Sequence, residues 1–343
     1  MNIFDLAKAR ILVGKGGSGG GNTGGGGTAT VQSKGINFYD YDGTLLHSYT
    51  VEEAQALSAL PELPTREGLI CQGWNYDLET IKLYNRDVNV GATYITDDGK
   101  TRLYIKITAE GRMNVPLSFT QTVANGVTID WGDGSVTQTL GVTGKTDAWH
   151  TYESIGEYVI TLDVADGCAL GLGHNTSSVC VMGATNFYGK VYCNMLQKVE
   201  IGNSVTSISD YAFNSCYSLA SIVIPDGVTS ISQKAFQNCY SLASIVIPDG
   251  VTSIVTYAFN SCYSLASIVI PDSVTSIVTY AFNSCYGMKF FDFTSHTAVP
   301  TLNNTNAFNN IPSDCEIRVP AALYDEWISA TNWSTYASKI VAV

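Results

Sequence analysis

Charge is scarce in this chain. Asp, Glu, Lys and Arg make up 14% of its 343 residues, against roughly a quarter in an ordinary globular domain. The 30 acidic residues outnumber the 18 basic ones for a formal net charge of −12. Without a basic excess to neutralise phosphates, nucleic acid is not an expected partner. Long apolar runs are absent too: no 18 consecutive apolar residues occur, so no membrane-spanning helix is expected. The amino-terminal segment offers only Ile11, Leu12 and Val13 before glycine begins, too short an apolar core for a secretory signal. The nine cysteines contain no C-x-x-C pair, and His47, His150, His174 and His296 are scattered with no H-E-x-x-H among them. No zinc ribbon, metal site, cofactor or Ser/His/Asp grouping is therefore indicated.

Glycine (32) and tyrosine (20) are plentiful instead, so neutral polar and aromatic groups must cover the surface. The length exceeds what one core usually serves and predicts two or more domains. Residues 196–311 repeat themselves at a period of 23. Four copies, 196–218, 219–241, 242–264 and 265–287, align without a gap, and a degenerate fifth begins at Met288. The shared pattern is L-x-x-I-x-I-P-x-x-V-x-x-I-x-x-x-A-F-x-x-C-x-x. In the second copy Ile222 and Ile224 alternate with Ser221 and Val223, which is strand spacing, whereas Phe236 and Cys239 lie three apart, which suits one helical turn. Pro225, Asp226 and Gly227 form the corner between them.

One such copy buries too few apolar side chains, at about 1.5–3 kcal/mol each, to offset roughly 1.5 kcal/mol of ordering cost per residue. The copies must stack into a solenoid with strands about 4.8 Å apart and specialised ends. The expected carboxy-terminal cap is 312–343, in which Pro320 opens a short helix carrying Leu323 and Trp327, with Trp333 and Tyr336 following. Cys193, Cys216, Cys239, Cys262 and Cys285 become an inward column in which free thiols are favoured over disulfides, since a Cα spacing of about 4.8 Å permits bonding but parallel side chains hold the Cβ atoms wider than the preferred distance of about 3.8 Å.

These elements, Ile-x-Ile-Pro and Ala-Phe-x-x-Cys recurring together, resemble the BspA-like leucine-rich repeat family, which implies a surface-exposed binding or adhesion module and supplies no catalytic residues. The first copy departs from the pattern, with Val199 and Gly202 where the others have Ile and Pro. Upstream, Val127-Thr-Ile-Asp-Trp131-Gly-Asp-Gly-Ser135, His150-Thr-Tyr152 and Gly156-Glu-Tyr158 resemble a PKD domain, implying a β-sandwich spacer over 102–166, followed by a connector and amino-terminal cap over 167–195. Residues 31–101 read as a small α+β module, with a capping box, Thr50-Val-Glu-Glu53, opening a helix from Val51 to Leu60, and a two-stranded ribbon turning at Asp98-Gly99. The whole is a mainly β, multidomain chain. Its first hundred residues, a short apolar and basic segment (1–13), a glycine tract (14–30) and Ile36 to Leu46, resemble in arrangement the minor structural or tail-appendage proteins of phages and prophages of gut bacteria.

Two motifs mimic chemistry. Gly14-Lys-Gly16-Gly-Ser-Gly19 has the dinucleotide-binding spacing, but glycines continue to Gly27 where a helix would have to begin, so a linker explains it. Asp40-Tyr41-Asp42-Gly43-Thr44 resembles the D-x-D-G-T loop of the haloacid dehalogenase superfamily, which implies Asp40 as nucleophile and Asp42 as acid beside magnesium. The chain before the PKD-like segment is too short for that fold, and a hairpin joining Ile36–Tyr41 to Thr44–Tyr49 accounts for the same residues.

The candidate binding residues come from the repeats. With Ile222 and Ile224 inward, Val223, Val246 and Val269 form an outward apolar stripe between Glu200 and Asp292, and an apolar stripe in water invites a partner. Two tyrosine columns join it. Tyr211, Tyr257 and Tyr280, with Lys234 in the second copy, are the better surface candidates; Tyr217, Tyr240, Tyr263 and Tyr286 lie four residues beyond the Phe column and are expected to be partly packed. The expected function is non-enzymatic adhesion: a phage virion protein held to other virion subunits by residues 1–30 and presenting the repeats to a host-surface glycan or protein. A bacterial cell-surface adhesin is the alternative, and either is compatible with a homo-oligomer.

Overall fold

The computed structural model describes residues 35–40, 44–66, 69–74, 78–82, 88–96, 98–173, 179–184 and 193–343. The anchoring segment, the glycine tract with its G-x-G-x-x-G match, Asp42, Gly43 and His174 lie outside them. The chain divides into two compact units, Met1–Asp98 and Gly99–Val343.

The first unit holds a four-stranded sheet of order β2-β1-β4-β3, with β1 Gly35–Tyr39, β2 Leu45–Thr50, β3 Leu69–Trp74 and β4 Val88–Thr96. Strand alternation puts Ile36 and Phe38 into a small core with Ala54, Ile81, Val88 and Val90. The Phe38 ring meets Trp74 edge-on at 4.9 Å. β1 and β2 are antiparallel, with Tyr39 opposite Leu45 and the Asp40 N–H donating to Thr44 O at 2.9 Å, so the two arms of the expected hairpin pair, while its turn at Asp42-Gly43 lies outside the described residues. The capping box is present at Thr50 and Glu53, but the helix it opens, α1, runs only over Val51–Gln55.

The ribbon expected at Asp98-Gly99 does not form. β4 pairs with β1 and β3, while β5 (Thr101–Ile107) pairs with partners of the second unit. The turn signal marks the boundary between the units, because each strand finds its edge partners in its own core.

In the second unit β6 (Asn114–Gln121), β7 (Val127–Asp130), β8 (Gln138–Thr139), β9 (Gly144–Thr151), β10 (Gly156–Val164) and β11 (Leu170–Leu172) join β5 in two sheets. A short hairpin, β12 (Val179–Cys180) with β13 (Gly183–Ala184), follows. The repeats then supply β14 (Leu196–Glu200), β15 (Ser207–Ile208), β16 (Ser221–Val223) and β17 (Ser230–Ile231). One sheet runs β16-β14-β5-β10-β7-β8 and the other β17-β15-β11-β6-β9. Both sheets therefore pass from the upstream strands into the first coils without a break, and one apolar core extends from Leu103 to Ile340.

This junction explains the odd first repeat. The Gly202 N–H donates to Thr101 Oγ1 at 2.9 Å, and a Cβ at 202 would collide with Gly99 O and come within 2.8 Å of the Lys100 carbonyl carbon. Proline, which the later copies carry here, would lose the donor and strike that backbone. Val199 likewise faces Leu103 across β5.

Successive coils keep the 23-residue register: Val199 pairs with Ile222, Ile208 with Ile231 and Ile254 with Ile277, all parallel. The remaining strands are β18 (Ser253–Ile254), β19 (Ser267–Val269), β20 (Ser276–Ile277), β21 (Phe290–Asp292), β22 (Thr301–Leu302), β23 (Glu316–Val319) and β24 (Ile340–Ala342). They complete two further parallel ladders, β19-β21-β23-β24 and β18-β20-β22.

The Ala-Phe-x-x-Cys half is not helical. Cys216 N–H closes one turn on Phe213 O at 3.1 Å, but Tyr211, Phe213 and Ser215 send their N–H groups to Gln233, Ala235 and Gln237 of the next coil. Tyr211 and Ser215 do so at φ of 62° and 61°, and Lys234, Asn238, Tyr257, Ser261, Tyr280 and Ser284 repeat that left-handed geometry. The alternation aims every second N–H along the stack, adding a third hydrogen-bond ladder that a helix would have closed on itself. Inside it Phe213, Phe236, Phe259 and Phe282 stack ring on ring at 5.3–5.4 Å.

The cysteine column is fully buried. Cys216, Cys239, Cys262 and Cys285 are free, whereas Cys193 is joined in a disulfide to Cys180 of β12. Cys239, Cys262 and Cys285 each donate their thiol to the Phe carbonyl of the preceding coil, Phe213, Phe236 and Phe259, at 3.2–3.3 Å. At the far end Pro320 precedes a 3-10 turn and α2 (Tyr324–Ser329), and Trp327, Trp333 and Tyr336 close over Phe293 and Phe308.

Candidate binding surface

The outward face of the β16 to β23 ladder is built by alternation. Val199, Ile222, Ile245, Ile268, Phe291 and Ile317 point inward and are buried. The flanking positions point out: Ser221, Ser244 and Ser267 on one side, Val223, Val246 and Val269 on the other. Val223 is half-buried, Val246 is 72% exposed and Val269 is 48% exposed. The register runs Glu200, Val223 and then Val269, Asp292, Arg318.

Charge closes the stripe at both ends. Glu200 is buried and pairs with Lys198, whose ammonium lies 4.7 Å from the Tyr104 ring centroid. At the other end Arg318 pairs with Glu316 at 2.9 Å and covers the Phe290 ring at 3.9 Å. Between these pairs the face carries no ionised group from Ser221 to Val269, so it suits a neutral or apolar partner surface.

The two tyrosine columns differ from their expected ranking. Tyr211, Tyr257 and Tyr280 are half-buried and engaged. Lys234 donates to Tyr211 Oη at 3.2 Å and lies between the Tyr211 and Tyr257 rings, Tyr257 stacks on Tyr280 at 5.0 Å, and Asn306 donates to Tyr280 Oη. In the other column Tyr217, Tyr240, Tyr263 and Tyr286 stack at 4.4–5.2 Å, with Tyr263 38% and Tyr286 57% exposed. The more accessible column is thus the one expected to be packed. Its rings use their faces on each other, leaving edges and hydroxyls as the contact surface, as for any parallel stack. Burial and the neighbouring Tyr263 and Tyr217 push the Tyr240 hydroxyl above its usual range, so it is a neutral donor. The left-handed backbone at Tyr211, Tyr257 and Tyr280 carried no sequence signal, since such residues are normally Gly or Asn.

Elsewhere, Asp40 is buried and its carboxylate accepts from Arg66 Nε at 2.6 Å, which ties up the would-be nucleophile in a charge-assisted pair. His150 bonds Asp133 at 2.6 Å beneath Trp131, whose ring it stacks on at 5.0 Å. Burial raises the Asp133 carboxyl, but the hydrogen bonds from Ser135 and His150 together outweigh it and hold the group at about 2. Gly132 and Gly134 take φ of 78° and 83° in that turn, and a Cβ at 132 would strike Val159 O. These groups stabilise a turn. No helix among the described residues is long and apolar enough to cross a membrane.

Residues 182–314 match the family described as BspA type leucine rich repeat region, in six copies, which begins earlier than the four regular copies and the degenerate fifth. Among solved structures, a leucine-rich repeat protein from Bacteroides ovatus is 29% identical, with 50% of this chain and 40% of that one aligned at a TM-score of 0.33. The T. pallidum leucine rich repeat protein is 28% identical over 43% of this chain and 71% of that one, at 0.29. A leucine rich cell surface protein from Faecalibacterium prausnitzii is 25% identical over 38% and 55%, at 0.21. This chain thus spans less than half the length of the Bacteroides protein. No curated protein is significantly similar to the chain. Over residues 182–314, then, the stacked coils are similar to the BspA-type leucine-rich repeat region.

Proposed function

We propose that the chain is a non-catalytic adhesion protein that recognises a host-surface glycan or protein through the outer face of its repeat solenoid. The observation that carries this reading is the stripe of Val223, Val246 and Val269: apolar, uncharged from Val223 to Val269, and strongly exposed at Val246. Valine suits a strand on either face, but an apolar column left open to water on neighbouring coils is the kind of surface a partner covers. The match to a BspA-type repeat region supports the same reading, since leucine-rich repeats of this kind typically serve binding. The strands of 102–166 act as a PKD-like spacer, and Tyr263 and Tyr286 extend the contact face.

Display on a phage particle, with residues 1–30 contacting other virion subunits, rests on the arrangement of the first hundred residues. Display on a bacterial cell is the second reading, favoured by the repeat match. Fractionation separates them: recovery with purified particles supports the first, recovery on unlysed phage-free cells the second. For the face itself, Asp at Val223, Val246 and Val269 together should abolish attachment to host cells with the circular dichroism spectrum unchanged. Undiminished attachment by that folded variant would remove the stripe from the binding site.

A further inference from the structure

The entry to the coil stack gathers sulfur. Cys180 on β12, Cys193 just before the first regular copy and Cys216 within it place their three Sγ atoms within 4.8 Å of one another, and all three residues are completely buried. They come from three separately anchored backbone segments. Each of the first two also carries a methionine two residues on, Cys180-Val-Met182 and Cys193-Asn-Met195, and both methionines are buried in the same core.

The Cα atoms of Cys180 and Cys193 stand 7.4 Å apart, wider than the roughly 4.4–6.8 Å over which two cysteines usually bond directly. An ion held between the sulfurs spans such a gap without moving the backbone. Thiolates and thioethers are soft ligands that favour Cu(I) or zinc, and structural zinc takes four ligands. Among the described residues only these three His, Cys, Asp or Glu side chains are grouped in this way.

We propose that the reduced chain binds one Cu(I) ion at Cys180, Cys193 and Cys216, in a three-sulfur site that locks the β12–β13 hairpin to the entry of the coil stack. A dithiol reductant supplies two electrons and two protons to open the Cys180–Cys193 bond, becoming a disulfide itself. Cu(I) then displaces the protons of two thiols, which pass to solvent, while the third sulfur keeps its proton. The site so formed carries one net negative charge, the least that two thiolates around a monovalent ion permit. The disulfide and the metal are alternative latches on the same sulfurs: a small-molecule disulfide takes two electrons from the two thiolates and two protons from solvent, leaving as its dithiol, and the re-formed Cys180–Cys193 bond releases Cu(I) unchanged to solvent.

The test uses the full chain, reduced under inert gas and titrated with Cu(I) against a chromophoric Cu(I) chelator. The reduced chain should take up one equivalent tightly, and the disulfide form should take up none. Cys216→Ala should weaken uptake by more than the roughly 10- to 100-fold that loss of a supporting residue costs, while Cys262→Ala, deeper in the same column, should leave it unchanged. Failure of the reduced chain to compete for Cu(I), or equal loss in both variants, overturns the proposal. Should Cys216→Ala fail to fold, alkylation mapping of the wild-type chain decides. Cu(I) must then protect Cys180, Cys193 and Cys216 together during mild unfolding, and protection of none of them, or only of the deeper column, refutes the site.

Discussion

Replacing Gly202 by the proline that the other repeats carry is the sharpest test of the shared core. Substitution toward a repeat consensus commonly gains about 0.5–2 kcal/mol. Here the sign should reverse. Proline removes the N–H that donates to Thr101 Oγ1 at 2.9 Å, in a site where Thr101 is completely buried, and an unmet buried partner costs about 1–3 kcal/mol. It also adds atoms where a Cβ alone would meet Gly99 O and the Lys100 carbonyl carbon, and overpacking of that kind costs about 1–3 kcal/mol. The sum is a loss of about 2–6 kcal/mol. Gly202→Ala keeps the donor and isolates the clash, so it should lose about 1–3 kcal/mol. Urea unfolding followed by circular dichroism gives both numbers, and hydrogen exchange should show β5 and β14 deprotected together. A Gly202→Pro chain as stable as its parent, or more so, would mean that the β5–β14 junction is not a packed seam and that the repeats fold independently of the strands before them.

Phe236→Ala empties the middle of a ring column stacked on both sides at 5.3 Å and should cost about 3–5 kcal/mol in urea unfolding. A loss below about 1 kcal/mol would show that the column collapses freely. Asp133 is held at about 2 against an ordinary 3.8, so its contribution is complete above pH 3.8 and is lost as pH falls toward 2. Asp133→Asn should be less stable at neutral pH and show a flatter urea midpoint across that window, and an unaltered slope would refute the His150 and Ser135 assignment. Burial pushes the Cys285 and Cys315 thiols up to about 12, and those of Cys239 and Cys262 well above the usual range. Iodoacetamide at pH 8 should therefore label half-exposed Cys71 in the folded chain and leave the column intact until denaturant is added, as read by peptide mass spectrometry. Prompt labelling of Cys262 would refute the packing of the column.

Much of the repeat region is legible in the sequence, because a 23-residue period with fixed Ile, Phe and Cys positions leaves few ways to bury each copy. The alternation around Ile222 likewise placed Val223 on the outer face. Other features were not legible. The x-x-x-Ala-Phe-x-x-Cys spacing satisfies a helical turn and a ladder turn equally, and only the left-handed backbone at Tyr211 and Ser215 separates them. The ranking of the tyrosine columns failed for a related reason: Lys234 and Asn306 engage Tyr211 and Tyr280 from neighbouring coils, contacts set by stacking and invisible in any one copy.

The sequence alone determined that near-identical segments must stack, which side chains line their interior, and that the surface is poor in charge, since these follow from local periodicity and composition. Only the tertiary structure decided where the stack begins. Gly99 to Ile107 reach the first coil from about a hundred residues back along the chain, and the Cys180 hairpin joins them there. Non-local contacts of that kind leave no periodic trace, only an exception such as Gly202 in an otherwise regular pattern.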